Sequence, residues 1–235
     1  MVGRCRAFRK VFASARPGPH NPGMDPITLT SERLRLRSFV PEDEDVVYAH
    51  CQDPAIRRWT TVPDPYPREA ATFFLNRIVP DGWRDDTDYS FAIEPLDGGP
   101  LFAATGLHQR GSGVWEVGFW LAPGHRGRGY MTEAVRTAAH WAFTGLGCVR
   151  LIWRAEIGNT GSRAVAERVG FALEGVQRAG LLHNGTLRDA WVGSLLPSDF
   201  GLPSPVPYLP PREAPPSADP RATAQDGPGA VGPGA

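Results

Sequence analysis

A strand-like run, Val114–Leu121, passes straight into the segment APGHRGRGYMTEA and from there into a helical pattern. This junction restricts the possible folds more than any other feature of the chain. Gly124, Gly127 and Gly129 let the backbone turn sharply and bring bare N–H groups close to a ligand. Those amides sit at a helix N-terminus, where unpaired donors and the helix dipole together favour an anion. Arg126 and Arg128 add mobile positive charge. The combination suits a phosphate. It is neither a Walker loop, which needs Gly-Lys-Ser/Thr, nor a dinucleotide fingerprint on the first strand of a doubly wound unit. A Gly-rich strand-to-helix turn with incidental arginines is the plain alternative.

Around this junction the periodicity predicts one domain, residues 27–200, of the α/β class with a mixed sheet. Residues 32–39 alternate Leu34 and Leu36 against arginines, a half-buried strand. Pro41 opens a helix with an acidic first turn, and residues 67–83 form a second. Three strands follow at 89–94, 101–108 and 114–121, then a helix at 132–146, a strand at 149–156 and a helix at 159–169. Residues 171–182 and 186–196 make a closing hairpin turned by Asn184-Gly185. The order is strand, two helices, three strands, helix, strand, helix, two strands. Residues 1–26 read as a disordered arm or a mis-assigned start, with Met24 as the alternative first residue. Residues 201–235, dense in Pro, Gly and Ala, cannot bury enough surface to offset their ordering entropy and read as a disordered tail.

With 41% hydrophobic residues, seven Trp and eleven Phe, the chain can bury a substantial core. A formal net charge of zero leaves no global field to recruit nucleic acid or an anionic membrane. Cys5, Cys51 and Cys148 are far apart, and neither they nor the scattered histidines have metal-ligand spacing. A reduced, cytoplasmic protein without metal is expected. No apolar run approaches the roughly 20 residues that a membrane span requires.

The second constraining stretch is LIWRAEIGNTGSRAVAERVGFALEGV. Asn159 can cap a helix, Ser162 lies three residues on, and Gly170 stops the helix before Phe171. Taken alone this is ordinary structure. Taken with the opening TSERLRLRSF, the strand WEVGFWL, the loop HRGRGYMTEA and the closing NGTLRDAWVGSLL, it resembles the GNAT superfamily of N-acetyltransferases. The likeness is greatest to the branch of ribosomal-protein N-terminal acetyltransferases (RimJ/RimL-like) and spans about residues 27–196. Arg126, Gly129 and Met131 fall on the pyrophosphate-loop pattern of that family, where Met131 departs from the usual small residue.

The resemblance implies the GNAT acyl-CoA N-acyltransferase fold and acetyl-coenzyme A as donor, lying between two parallel strands that splay apart, here 114–121 and 149–156. It implies that backbone groups at Phe119, Trp120 and Leu121 pair with the pantetheine arm. The amides of Arg126, Gly127, Arg128, Gly129, Tyr130 and Met131 would hold the pyrophosphate, and Asn159 would bind pantetheine or order the site. The family attacks directly in a ternary complex, without an acyl-enzyme. Glu116 is the candidate base, through water, or else an acidic strand residue that shapes the pocket. Ala166 stands where many members place a tyrosine acid; the resemblance to the RimJ/RimL-like branch implies instead that Ser162 stabilises the departing thiolate, the alternative being a helix-surface serine bonded back to a carbonyl. Asp81, Asp85, Asp86 and Asp88 border the expected acceptor groove, Trp59, Trp83, Trp115 and Trp120 either line a pocket or fill the core, and His183 and Asp189 flank the last hairpin. The acceptor is a protein N-terminal α-amine or a small-molecule amine, and the chain a monomer or homodimer. The competing class is a non-catalytic acyl-coenzyme A sensor or scaffold.

Overall fold

A computed structural model describes residues 23–210. The expected arm as far as residue 22, the expected tail from residue 211, and Cys5 lie outside the described residues. Eight strands form one sheet in the order β1-β2-β3-β4-β5-β6-β8-β7. They are β1 (Leu29–Thr30), β2 (Leu34–Ser38), β3 (Asp88–Pro95), β4 (Ala103–Gly111), β5 (Val114–Leu121), β6 (Arg150–Glu156), β7 (Ala172–His183) and β8 (Thr186–Leu195). Every pairing is antiparallel except β5 with β6. The helices are α1 (Glu44–His50), α2 (Pro54–Trp59), α3 (Arg68–Phe73), α4 (Val79–Arg84), α5 (Tyr130–Gly145) and α6 (Thr160–Val169).

Period-two alternation gives the sheet two distinct faces. On one, Tyr89, Phe91, Leu107, Trp115, Val117, Leu151 and Trp153 are buried. Trp83 of α4 and Trp141 of α5 meet Tyr89 and Phe91 there with ring centroids 4.8 to 5.5 Å apart, mostly edge to face. Each such pair contributes roughly 0.5–1.5 kcal/mol beyond the area it buries. Ala134, Ala138, Ala139 and Ala142 bring α5 close to the sheet, since a small side chain shortens the helix-to-sheet distance. The other face carries Arg35, Arg37, Glu94, Asp88, His108, Arg110, Glu116 and Arg154, which satisfy one another in pairs.

The expected elements are all present, with three additions. The two-residue β1 pairs with β2. A short α2 is nucleated by Asp53, whose side chain accepts from the Ile56 N–H at 2.9 Å, and by Pro54 at the first helical position. The helix expected over 67–83 is divided by a π turn, Phe74–Ile78. Pro80 has no N–H and its ring crowds the carbonyl one turn back. The chain widens just ahead of it, and the Val79 N–H donates to the Phe74 carbonyl. The hairpin turns at Asn184-Gly185, both at positive φ, as a type I′ turn requires. At the N-terminal boundary Met24 packs against the core and its N–H donates to Asp86 Oδ1. At the C-terminal one Phe200 meets Phe143 at 5.5 Å. Residues 206–210 belong to a separate unit and are neither helix nor strand.

Candidate active site

The β5–β6 ladder runs from Val114 opposite Arg150 to Val117 opposite Trp153 and stops there. Beyond it, Gly118 to Leu121 stay paired to β4, and Arg154 to Glu156 stay paired to β8, but not to each other. The two strands therefore present facing backbone edges on either side of a wedge, with Phe119, Trp120 and Leu121 along one of them. At its mouth the chain makes a 3-10 turn, Pro123–His125, and then the loop into α5. Gly127 and Gly129 have φ of 76° and 78°, the left-handed region in which glycine pays no steric penalty. Gly129 is the N-cap of α5 and provides no side-chain cap. The N–H groups of Gly127, Arg128, Gly129, Tyr130, Met131 and Thr132 have no acceptor among the described residues. A run of free amides at a helix start is an anion site.

The side chains of the loop divide the work. Arg128 is exposed, whereas the Arg126 guanidinium is held by the Leu121 carbonyl at 3.1 Å and Asp53 at 2.8 Å. Arg126 thus ties the end of β5 to the cap of α2. Met131, expected to alter the last contact of the loop, is 3% exposed and packs into the core.

On the opposite strand, Asn159 caps α6 through a 3.1 Å bond from the Ser162 N–H. The Ser162 hydroxyl accepts a 2.9 Å bond from the indole N–H of Trp153, the last β6 residue paired with β5. That bond orients the hydroxyl oxygen and leaves its proton free to donate. Ala166 is buried, and a tyrosine hydroxyl is absent from that turn. Ser162→Ala strands the Trp153 N–H as well as removing the hydroxyl, and an unpaired buried donor costs about 1–3 kcal/mol. The expected result is a lower melting temperature together with slower turnover, read by thermal unfolding and by thiol release; equal values for both would leave Ser162 without a role.

Glu116 lies on the polar face of β5, 9% exposed. Arg110 Nε reaches its carboxylate at 2.6 Å, and Arg154 approaches at 2.7 and 3.1 Å. Burial pushes the carboxyl up, but the Arg154 hydrogen bonds and the charges of Arg110 and Arg154 outweigh this and hold it below the ordinary carboxylate range. Glu116, expected as a base or as an acidic residue that shapes the pocket, thus sits within a buried ionic cluster. Its oxygens are engaged by two guanidinium groups, and a carboxylate stabilised as an anion is a poor proton acceptor. Beside it, directly opposite in the ladder, lies His108. Its Nδ1 bonds Asp88 Oδ2, and Asp88 Oδ1 accepts from Ser90 at 2.8 Å.

Residues 33–172 match the model of the acetyltransferase (GNAT) domain. The chain belongs to the GNAT acetyltransferase family. It is 36% identical over 135 residues, 56% of its own length and 73% of the relative's, to a Bacillus subtilis (strain 168) protein named "Putative ribosomal N-acetyltransferase YdaF". It shares its fold with Mycobacterium smegmatis RimJ in complex with CoA-disulfide, at 20% identity and a TM-score of 0.64, covering 74% of this chain and 88% of that one. RimL, a ribosomal L7/L12 alpha-N-protein acetyltransferase in complex with coenzyme A, superposes with a TM-score of 0.64 at 17% identity, over 72% and 98% of the two chains. This GNAT enzyme is an acetyl-coenzyme A-dependent N-acetyltransferase.

In the acetyltransferase the other expected acceptor residues scatter. Asp81 and Asp85 pair with Arg84, and Asp86 accepts from the Tyr89 hydroxyl; of the four, only Asp88 faces the polar side of the sheet. Trp83 and Trp115 are core residues, Trp120 lies against His50, and Trp59 is exposed beneath Arg58. His183 bonds the Arg57 carbonyl and Asp189 takes the Ala179 N–H, so both brace the hairpin. Cys51 and Cys148 are buried, which pushes each thiol up to about 11 and keeps it protonated. Among the described residues no helix is long and apolar enough to cross a membrane, and no group of acidic, His or Cys residues could hold a metal ion. Trp153, Arg154, Arg110 and His108 escaped the sequence reading. The signal for the last was Gly106 and Gly118, paired across two adjacent strands.

Proposed function

We propose that this chain acetylates the α-amine of a protein N-terminus, as a member of the RimJ/RimL-like branch in the cytoplasm. The observation that carries the donor side is the wedge between β5 and β6 together with the free amides at the start of α5. Phe119, Trp120 and Leu121 offer their backbone to the pantetheine arm. The amides of Gly127 to Met131 and the exposed Arg128 take the pyrophosphate, whereas the Arg126 N–H, expected to share in this, is used by the Pro123 carbonyl at 3.2 Å. Asn159, its Oδ1 used by the cap, has its amide nitrogen left for the arm. The thioester supplies an activated acetyl group, and the amine attacks it directly while Ser162 donates to the departing sulfur. Among the described residues Cys51 and Cys148 are protonated and buried, which supports transfer without an acyl-enzyme. The name of the Bacillus relative supports a ribosomal-protein acceptor.

The test is release of coenzyme A thiol from acetyl-coenzyme A against a panel of peptides with free N-termini, polyamines and amino-acid amides. Peptides are expected to give the highest kcat/KM. Turnover confined to the small amines would replace the acceptor assignment, and coenzyme binding with no turnover on any amine would make the protein a sensor.

A further inference from the structure

We propose that His108 takes the proton from the acceptor amine, with Asp88 as the residue that positions its ring. The inference rests on the donor site proposed above and names a group within it. Nδ1 of His108 is bonded to Asp88, and Nε2 makes no hydrogen bond among the described residues. The ring lies flat against the sheet over Gly106 and Gly118: a Cβ at either would stand 3.2 or 3.3 Å from Nε2. Neither glycine has a positive φ, so the backbone does not require glycine at either position. Each costs about 0.5–1 kcal/mol relative to alanine inside a strand, and what the pair provides is room for the imidazole.

That room is in a particular place. Gly118 is the first residue of β5 beyond the last rung shared with β6, where the wedge opens. The Nε2 lone pair thus lies at the apex of the wedge, on the polar face. The side chain retains 26% of its surface, enough for an incoming amine to reach it. A carboxylate on Nδ1 and a free Nε2 is the arrangement that fixes the tautomer of a histidine base. The neighbouring carboxylate, Glu116, is occupied by Arg110 and Arg154.

The step balances as follows. The amine nitrogen attacks the thioester carbon, an N–C bond forms, and the C–S bond breaks with its electron pair going to sulfur. The proton shed by nitrogen passes to Nε2 and then to solvent, and the sulfur is protonated from the Ser162 side. Asp88 and Ser90 on β3, Arg110 on β4, and Glu116 on β5, itself bridged to Arg154 on β6, are the polar groups around the ring. Burial and Arg110 disfavour its charged form, but Asp88, helped by Glu116, outweighs them and raises His108 above the ordinary histidine value. Activity therefore increases with pH as Nε2 loses its proton, and removing the Asp88 charge moves this limb to lower pH.

The experiment compares wild type, His108→Gln and Asp88→Asn for thiol release with a serine-initiated peptide and with spermidine, across pH 5.5 to 9 (about one unit beyond either side of the relevant range). Coenzyme A affinity is measured by calorimetry and folding by thermal unfolding. His108→Gln is expected to lower kcat about 100-fold, the scale of general base catalysis, and to erase the acidic limb while coenzyme A binds as before. Wild-type kcat with the limb intact in His108→Gln would overturn the assignment. Should His108→Gln not fold, Asp88→Asn decides: a limb shifted to lower pH supports the proposal, and an unmoved limb rejects it. Failure of the donor-site reading looks different, since wild-type protein would then not bind coenzyme A at all.

Discussion

Gly129→Glu is expected to abolish coenzyme A binding, and Gly129→Ala only to weaken it, in a calorimetric titration of the purified chain. Two separate effects act at this position. Gly129 has φ of 78°, and an L side chain in the left-handed region is disfavoured by roughly 1–2 kcal/mol. Relaxing that strain turns the amides of the loop away from their common focus, which by itself amounts to about tenfold in affinity per 1.4 kcal/mol. Alanine isolates this contribution, because its Cβ would meet only Arg33 Nη2, at 3.6 Å. Glutamate adds a negative charge where the pyrophosphate is to sit, and its carboxylate competes for the N–H groups of Tyr130, Met131 and Thr132. A fall of at least about 100-fold is expected from charge and strain together. The fold survives, since an anion near the N-terminus of α5 favours the helix by about 0.3–1 kcal/mol. Equal affinity in wild type and Gly129→Glu would remove the loop from the donor site.

What the sequence made legible was local. The strand Val114–Leu121 lies where the alternation put it, and Asn159 caps α6 as its position before an apolar helix suggested. Asn184-Gly185 turns the last hairpin because that dipeptide tolerates positive φ. The short α2 carried its own signal in Asp53-Pro54, but six residues with one buried apolar position show no periodicity to detect. The π turn ahead of Pro80 followed from a residue that was visible inside an apparently continuous helical pattern. What was hidden came from contacts between different elements. Trp153 meets Ser162 across the strand-to-helix connection, and Asp88 reaches His108 only because β3 and β4 pair in one register. Alternation places Glu116 on the polar face, yet only the sheet order reveals that Arg110 and Arg154 arrive from the strands on either side.

That convergence makes Glu116→Gln chiefly a stability variant. Its carboxylate side chain is 11% exposed and bridges guanidinium groups on β4 and β6, directly across β5. Removing one partner from a buried ionic cluster leaves the others uncompensated and costs about 3–5 kcal/mol. The lower end applies, because Arg110 keeps 38% of its side-chain surface and water can replace part of what it loses. A loss of about 3 kcal/mol corresponds to a melting temperature about 10 °C lower for a domain of this size. The pH dependence has a definite sign. Glu116 is held below the ordinary carboxylate range, so its contribution is fully present above that range and disappears as pH falls through the lowered value. The gap between wild type and Glu116→Gln is therefore wide at pH 7 and closes under strongly acidic conditions, which thermal unfolding across that interval measures directly. A general base would leave the opposite signature: nearly equal melting temperatures and kcat lowered by a factor of about 100 or more. With both guanidinium groups in place, the carboxylate's anionic form is what the fold uses.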